Sequence, residues 1–204
     1  MKRLFIAIPL EDRVGLEIDE LLFSLDVRSW SRTTKHDLHI TALFLGDVFE
    51  QIIPDVKTII GNIASRARPF ALRGGRTLIM RPDEPTMLWI RYDRNQWFER
   101  LVADLESSFH RVGTWERKLD RKQRKQGGGD RFPIPHITLA RIRGGGMLDT
   151  LLPPLEATAL MDNFVVRKIA LYETVAGPKN EGAFHYEKLG EWTLGGDDDN
   201  DDDS

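Results

Sequence analysis

The sequence predicts an α+β fold, and three observations predict it. Short apolar runs of strand length alternate with segments whose apolar residues recur at helical spacing. A strand, helix, strand, helix series occurs twice along the 204 residues, so the chain reads as two α+β halves. Each half carries the same three residues inside an apolar run, His39-Ile40-Thr41 in the first and His136-Ile137-Thr138 in the second.

In chain order, Leu4 to Ile8 is a continuous apolar run, as a strand buried on both faces requires. Val14, Ile18, Leu21, Leu22 and Leu25 follow at helical spacing, and Glu11 and Asp12 suit the positive end of that helix. Leu38 to Leu45 is the first motif strand, expected to close at Gly46-Asp47. Ile52, Ile53, Val56, Ile59, Ile60 and Ile63 mark a second helix, with Pro54 tolerated only in its first turn.

Phe70 to Arg73 and Thr77 to Met80 read as short strands around Gly74-Gly75, and Met87 to Tyr92 as another. Trp97, Leu101, Leu105 and Phe109 make a third helix. The second motif strand spans Ile134 to Ile142. A short helix is expected over Met147 to Leu152, stopped by Pro153-Pro154, and Phe164 to Tyr172 and Phe184 to Leu194 close the chain as strands.

A content of 41% hydrophobic and 30% charged residues is that of a folded globular protein, which excludes disorder of the whole chain. The absence of cysteine excludes disulfides, thiol catalysis and cysteine-ligated zinc. The N-terminal apolar run is interrupted by Pro9 and Glu11-Asp12, no window reaches the length of a membrane span, and a cytoplasmic location and a monomer are expected. Net charge is −3, but residues 197–204 hold six aspartates; without them the body is at about +3, which permits an anionic partner. The domain is expected to occupy 1–196, with 197–204 a solvated acidic tail. Residues 116–131 carry seven bases and three acids and end in three consecutive glycines before Asp130, which suits either RNA-backbone contact near the second motif or a solvated helix end and glycine loop.

In a strand, residues two apart share a face. His39 and Thr41 therefore project together, as do His136 and Thr138, while Ile40 and Ile137 point into the core. Two imidazoles converging on one phosphate can take a proton from the attacking group and give one to the leaving oxygen. The hydroxyls of Thr41 and Thr138 can hydrogen-bond the non-bridging phosphate oxygens. Neither motif has HExxH or the clustered acids of a metal site, so no metal and no cofactor are expected. No phosphate-cradling, dinucleotide or serine-nucleophile motif is present.

These paired motifs, with Arg3-Leu4-Phe5-Ile6-Ala7-Ile8-Pro9, Phe44-Leu45-Gly46 and Pro135-His136-Ile137-Thr138-Leu139-Ala140-Arg141, resemble the 2H phosphoesterase superfamily and its RNA 2′,3′-cyclic phosphodiesterase (2′-5′ RNA ligase) branch. The resemblance spans about residues 2 to 194. It implies a bilobal, pseudo-symmetric fold with two antiparallel sheets lining a central cleft and helices packed outside. It implies metal-free hydrolysis of RNA 2′,3′-cyclic phosphate ends to 2′-phosphates, with reversible 2′-5′ ligation in some members. Small cyclic phosphates or 2′-5′ linkages are alternative substrates, and a non-catalytic RNA-binding module is the alternative of another class. Carried over, His39 is assigned as proton donor and His136 as proton acceptor, an assignment the spacing does not decide, with Thr41 and Thr138 as phosphate binders.

Arg141, five residues after His136, matches an arginine that the family places near the phosphate. Strict alternation puts it on the face opposite His136, so this role requires a β-bulge or the strand end. Phe44 stands at the same offset from His39; it could stack on a base, but its parity with Leu38 and Ile40 assigns it to the core. His36 reads as part of a turn-like approach to His39, His110 as a residue late on the third helix that suits its dipole, and His185 as a candidate for the cleft rim.

Overall fold

The computed structural model describes residues 1–24, 31–80, 86–111, 133–142, 163–176 and 184–195. The basic stretch 116–131, the helix expected at 147–152 and the acidic tail lie outside the described residues. Ten strands are described: β1 Lys2–Pro9, β2 Ser31–Arg32, β3 His39–Val48, β4 Phe70–Arg73, β5 Arg76–Met80, β6 Thr86–Arg91, β7 His136–Ile142, β8 Asn163–Val166, β9 Lys168–Ala176 and β10 Phe184–Thr193. Three α-helices accompany them, α1 Asp12–Ser24, α2 Ile53–Ala64 and α3 Gln96–Arg111. Asp12 lies in the first turn of α1, and Pro54 in that of α2, where a missing N–H costs nothing.

The α+β architecture is the one the sequence predicts, and two antiparallel sheets are what the resemblance implies. The sheets are unequal. The larger has the order β10-β9-β1-β3-β7-β6-β5 with β2 added along β7, and the smaller is β4-β8. The halves of the chain meet inside the larger sheet, where β3 and β7 pair antiparallel at Ile40 and Ile137.

One face of this sheet is the main core. Leu4, Ile6 and Ile8 of β1 and Ile40 and Ile137 pack with Val14, Ile18 and Leu22 of α1, Val56 and Ile60 of α2, and Leu101, Leu105 and Phe109 of α3. Each fully buried aliphatic side chain here contributes about 1.5–3 kcal/mol relative to exposure. Phe5 and Ala7 point the other way and form a separate small cluster with Ala170, Tyr172 and Tyr186. β1 is therefore apolar on both sides, which is why Leu4 to Ile8 is an unbroken run.

Three boundaries depart from the expectation. β3 runs through Gly46 to Val48 rather than closing there, because Gly46 takes φ 75°, a conformation open to glycine, beside a shift in register opposite Leu4 and Phe5. The expected strand Phe164 to Tyr172 is two strands in different sheets, β8 against β4 and β9 against β1 and β10, separated at Arg167, whose carbonyl accepts from the Leu194 N–H. β2, two residues long, has too little sequence pattern to be anticipated.

Candidate active site

The pairing of Ile40 with Ile137 governs everything on the opposite face of the sheet. Both isoleucines are fully buried, at 0% exposure. Their neighbours His39, Thr41, His136 and Thr138 are half-buried on the other side. Antiparallel register places His39 across from Thr138 and Thr41 across from His136. The two His–Thr pairs thus form one four-residue constellation.

Both imidazoles are oriented in the same way. His39 Nδ1 lies 2.7 Å from the carbonyl oxygen of Asp37, and His136 Nδ1 lies 2.9 Å from that of Ile134. A carbonyl only accepts, so each Nδ1 carries the hydrogen and each neutral ring presents the Nε2 lone pair. Thr41 Oγ1 is 3.0 Å from His39 Nε2 and donates to it.

Asp37 is itself held. It closes a one-turn 3-10 helix, Lys35–Asp37, where one carboxylate oxygen accepts from Thr34 Oγ1 at 2.7 Å and the other from the Tyr186 N–H of β10 at 2.9 Å. The carbonyl that orients His39 is therefore anchored to a strand 149 residues away.

Aromatic rings enclose the two histidines differently. His39 packs against Phe5 (ring centroids 4.9 Å apart), with the Tyr186 ring meeting it edge-on at 5.1 Å. His136 is stacked on Trp89, with centroids 3.9 Å apart. Burial pushes His39 down to about 4; the Asp37 carbonyl opposes this, Arg141 adds to it, the Asp37 carboxylate opposes it and His136 adds to it. Burial also lowers His136, against the Ile134 carbonyl and assisted by the Arg91 guanidinium. Both rings are neutral bases near pH 7 in the free protein.

A repeated irregularity completes the constellation. β3 carries one extra residue opposite β1, between Thr41 (paired with Ala7) and Leu43 (paired with Ile6). β7 carries one opposite β6, between Thr138 (paired with Trp89) and Ala140 (paired with Leu88). In both motifs the two residues after Thr are buried and the next is exposed, Ala42-Leu43 then Phe44, and Leu139-Ala140 then Arg141. A β-bulge resets alternation, so Phe44 and Arg141 emerge on the histidine face.

This supplies the bulge that a position for Arg141 beside the histidines requires, and its charge is felt at His39. It corrects the assignment of Phe44 to the core: Phe44 is 66% exposed. His36 and His110 are exposed, and His185 lies 3.6 Å from Glu187 on β10. Sequence reasoning missed Asp37 as a support, Phe5, Tyr186 and Trp89. The first was signalled by an acid two residues before His39; the others depend on strand register.

The family model described as the 2′-5′ RNA ligase superfamily matches residues 12–178. The chain belongs to the 2′-5′ RNA ligase superfamily. The resemblance to 2H phosphoesterases carried by the two motifs is thereby borne out. An RNA 2′,3′-cyclic phosphodiesterase of Thermus thermophilus is 31% identical over 140 residues, 68% of each chain. One of Thermotoga maritima is 24% identical over 148 residues, 69% of this chain and 70% of that protein. Among solved structures, TT0787 of Thermus thermophilus superposes with a TM-score of 0.74 at 25% identity, covering 96% of this chain and 99% of that one. E. coli LigT in apo form shares the fold, with a TM-score of 0.70 at 22% identity, covering 95% of this chain and 97% of LigT. The structure of E. coli LigT complexed with 3′-AMP matches likewise, at 21% identity with a TM-score of 0.70, covering 95% of this chain and 98% of LigT. No helix among the described residues is long and apolar enough to cross a membrane.

Proposed function

We propose that this protein hydrolyses the 2′,3′-cyclic phosphate end of RNA, or of a small cyclic nucleotide, to a 2′-phosphate by two-histidine acid–base catalysis. The observation that carries the reading is the Ile40–Ile137 pair, which brings both His–Thr pairs onto one face. The names of the two relatives from Thermus thermophilus and Thermotoga maritima supply the substrate class.

A water oxygen attacks phosphorus while its proton passes to His136 Nε2. The P–O3′ bond breaks, and O3′ takes a proton from His39 Nε2. A 2′-phosphate and a 3′-hydroxyl result, and proton exchange with solvent resets both rings. Thr41 and Thr138 donate to the non-bridging oxygens, and Arg141 holds the phosphate through its planar fork of N–H donors. A 5′-hydroxyl in place of water leads through the same steps to a 2′-5′ linkage.

The charges around each ring support this division of labour. His136 faces the Arg91 cation, which favours its neutral, proton-accepting form. His39 has the Asp37 carboxylate nearby, and the cation that depresses it is Arg141. A phosphate paired with Arg141 cancels that depression and adds negative charge of its own, so substrate binding raises His39 toward protonation. No group in this scheme requires a metal.

An oligonucleotide ending in 2′,3′-cyclic phosphate tests the proposal. Turnover to a 2′-phosphate, read by phosphorus NMR and persisting in EDTA, is the expected result. A 3′-phosphate product would reverse the leaving oxygen, and RNA binding without turnover would favour a non-catalytic RNA-binding module.

A further inference from the structure

Residues 197–204 hold six aspartates, and nothing in the phosphate chemistry uses them. The chain reaches them from a defined place. β10 ends in a turn at Leu194-Gly195, where Gly195 takes φ 101° and donates its N–H at 3.0 Å to the carbonyl of Ala64, the last residue of α2. A side chain at Gly195 would begin 3.6 Å from Pro69 Cδ and 4.0 Å from the Ala67 carbonyl oxygen. The acidic segment therefore leaves the fold beside the loop that follows α2.

That loop forms one wall of a groove of about 460 Å³, and α3 forms the other. The floor is apolar, with Ile63, Phe70 and Leu101 buried. The rim is cationic. Arg66, Arg68 and Arg100 are exposed there, against one carboxylate, Asp104, among the described residues that line the groove. Asp104 lies 3.9 Å from Arg100 with both side chains exposed, which makes a weak pair. Arg68 lies over the Trp97 ring at 5.3 Å, and Arg66 donates to the Asn62 carbonyl at 2.9 Å. Among the described residues neither of these two guanidiniums has a carboxylate partner. The α3 wall from Trp97 to Ser108 is about 17 Å long at about 1.5 Å per residue. The nine residues 196–204 reach about 30 Å when extended, enough to follow that wall from Gly195.

We propose that residues 197–204 dock in cis in this groove, with their carboxylates on the guanidiniums of Arg66, Arg68 and Arg100. The tether supplies the high local concentration that exposed ion pairs, each weak alone, require. The contact is electrostatic and weakens as salt screens it. α2 and α3 cover the face of the larger sheet away from the histidines, so the docked segment neutralises a cationic rim there. The histidine face is left as the surface open to an anionic substrate. No residue of the groove belongs to the histidine site, and the inference stands apart from the phosphodiesterase reading.

The chain has no cysteine, so a nitroxide attached to Ser204→Cys sits at one position and broadens the NMR signals of residues near it. In about 10 mM salt, where charges act over about 30 Å, the Trp97 indole and the Ser107 and Ser108 amide signals should lose most of their height. In about 1 M salt, where that range is about 3 Å, they should recover it. Changing Asp197, Asp198, Asp199, Asp201, Asp202 and Asp203 to Asn should leave these signals near full height at both salts. Arg66→Glu combined with Arg68→Glu, at two exposed positions, should do the same with the aspartates intact. Broadening that persists in the asparagine chain, or full-height signals in the acidic chain at low salt, overturns the proposal. An equal mixture of labelled chain and unlabelled, isotope-enriched chain separates cis from trans. Broadening on the unlabelled chain would place the segment on a second copy and overturn docking in cis.

Discussion

Ile40 of β3 faces Ile137 of β7, and this pair joins the two halves of the chain at the middle of their two motifs. Both side chains are fully buried under the helices, so they hold the two His–Thr pairs on the opposite face at one spacing. Core packing and the site are two sides of the same residue pair. Ile137→Ala is expected to cost about 2–5 kcal/mol and Ile137→Val about 0.5–1.5 kcal/mol in denaturant unfolding. Turnover should fall with the first and hardly with the second.

Asp37 acts on His39 through its backbone carbonyl, and its carboxylate keeps that carbonyl in place. Asp37→Ala removes the carboxylate's bonds to the Tyr186 N–H and the Thr34 hydroxyl and leaves the residue held by its own N–H bond to the Thr34 carbonyl. A drop in kcat of about 10- to 100-fold with little change in KM is expected from the lost alignment. Asp37→Asn keeps an acceptor for the Tyr186 N–H and should recover much of the loss.

Stability should decline in mild acid. Burial holds His39 at about 4 in the folded protein, against 6.5 for the free side chain. Between these values the unfolded chain binds the proton more readily, so stability is complete above pH 6.5 and is lost as the pH falls toward 4. The loss from this group is about 3 kcal/mol, and His136, lowered by the same cause, acts in the same direction. Urea unfolding at about pH 7.5 and about pH 4.5 measures the decline, and His39→Asn should flatten part of it.

Arg141 is expected to be read at His39 as well as at the phosphate. Arg141→Ala removes a cation that depresses His39, so the His39 ring should titrate at higher pH in NMR spectra while phosphate affinity falls. Arg141→Lys keeps the charge and loses the bidentate fork, so His39 should stay low while binding still weakens, by about tenfold.

The His–Thr pairs were legible because same-face projection two residues apart is a local property of a strand. Beyond Thr41 and Thr138 the count of alternating faces fails, since an extra residue is defined only against a partner strand that the sequence does not name. That is why Phe44 read as core and why Arg141 needed a bulge to be placed. Phe164 to Tyr172 read as one strand because both parts are equally apolar, although they pair with different sheets. The Asp37–Tyr186 bond and the Trp89–His136 stack are long-range consequences of register, with no local pattern.

The central claim is that His39 and His136 work as a pair on one phosphate. Turnover of an oligonucleotide ending in 2′,3′-cyclic phosphate, measured for His39→Ala, His136→Ala and the double variant, tests it most directly. Each single change should lower kcat about 10²- to 10⁴-fold, and the double variant should be little worse than the singles, because groups that act as a unit are non-additive. Wild-type turnover in either single variant would contradict the account.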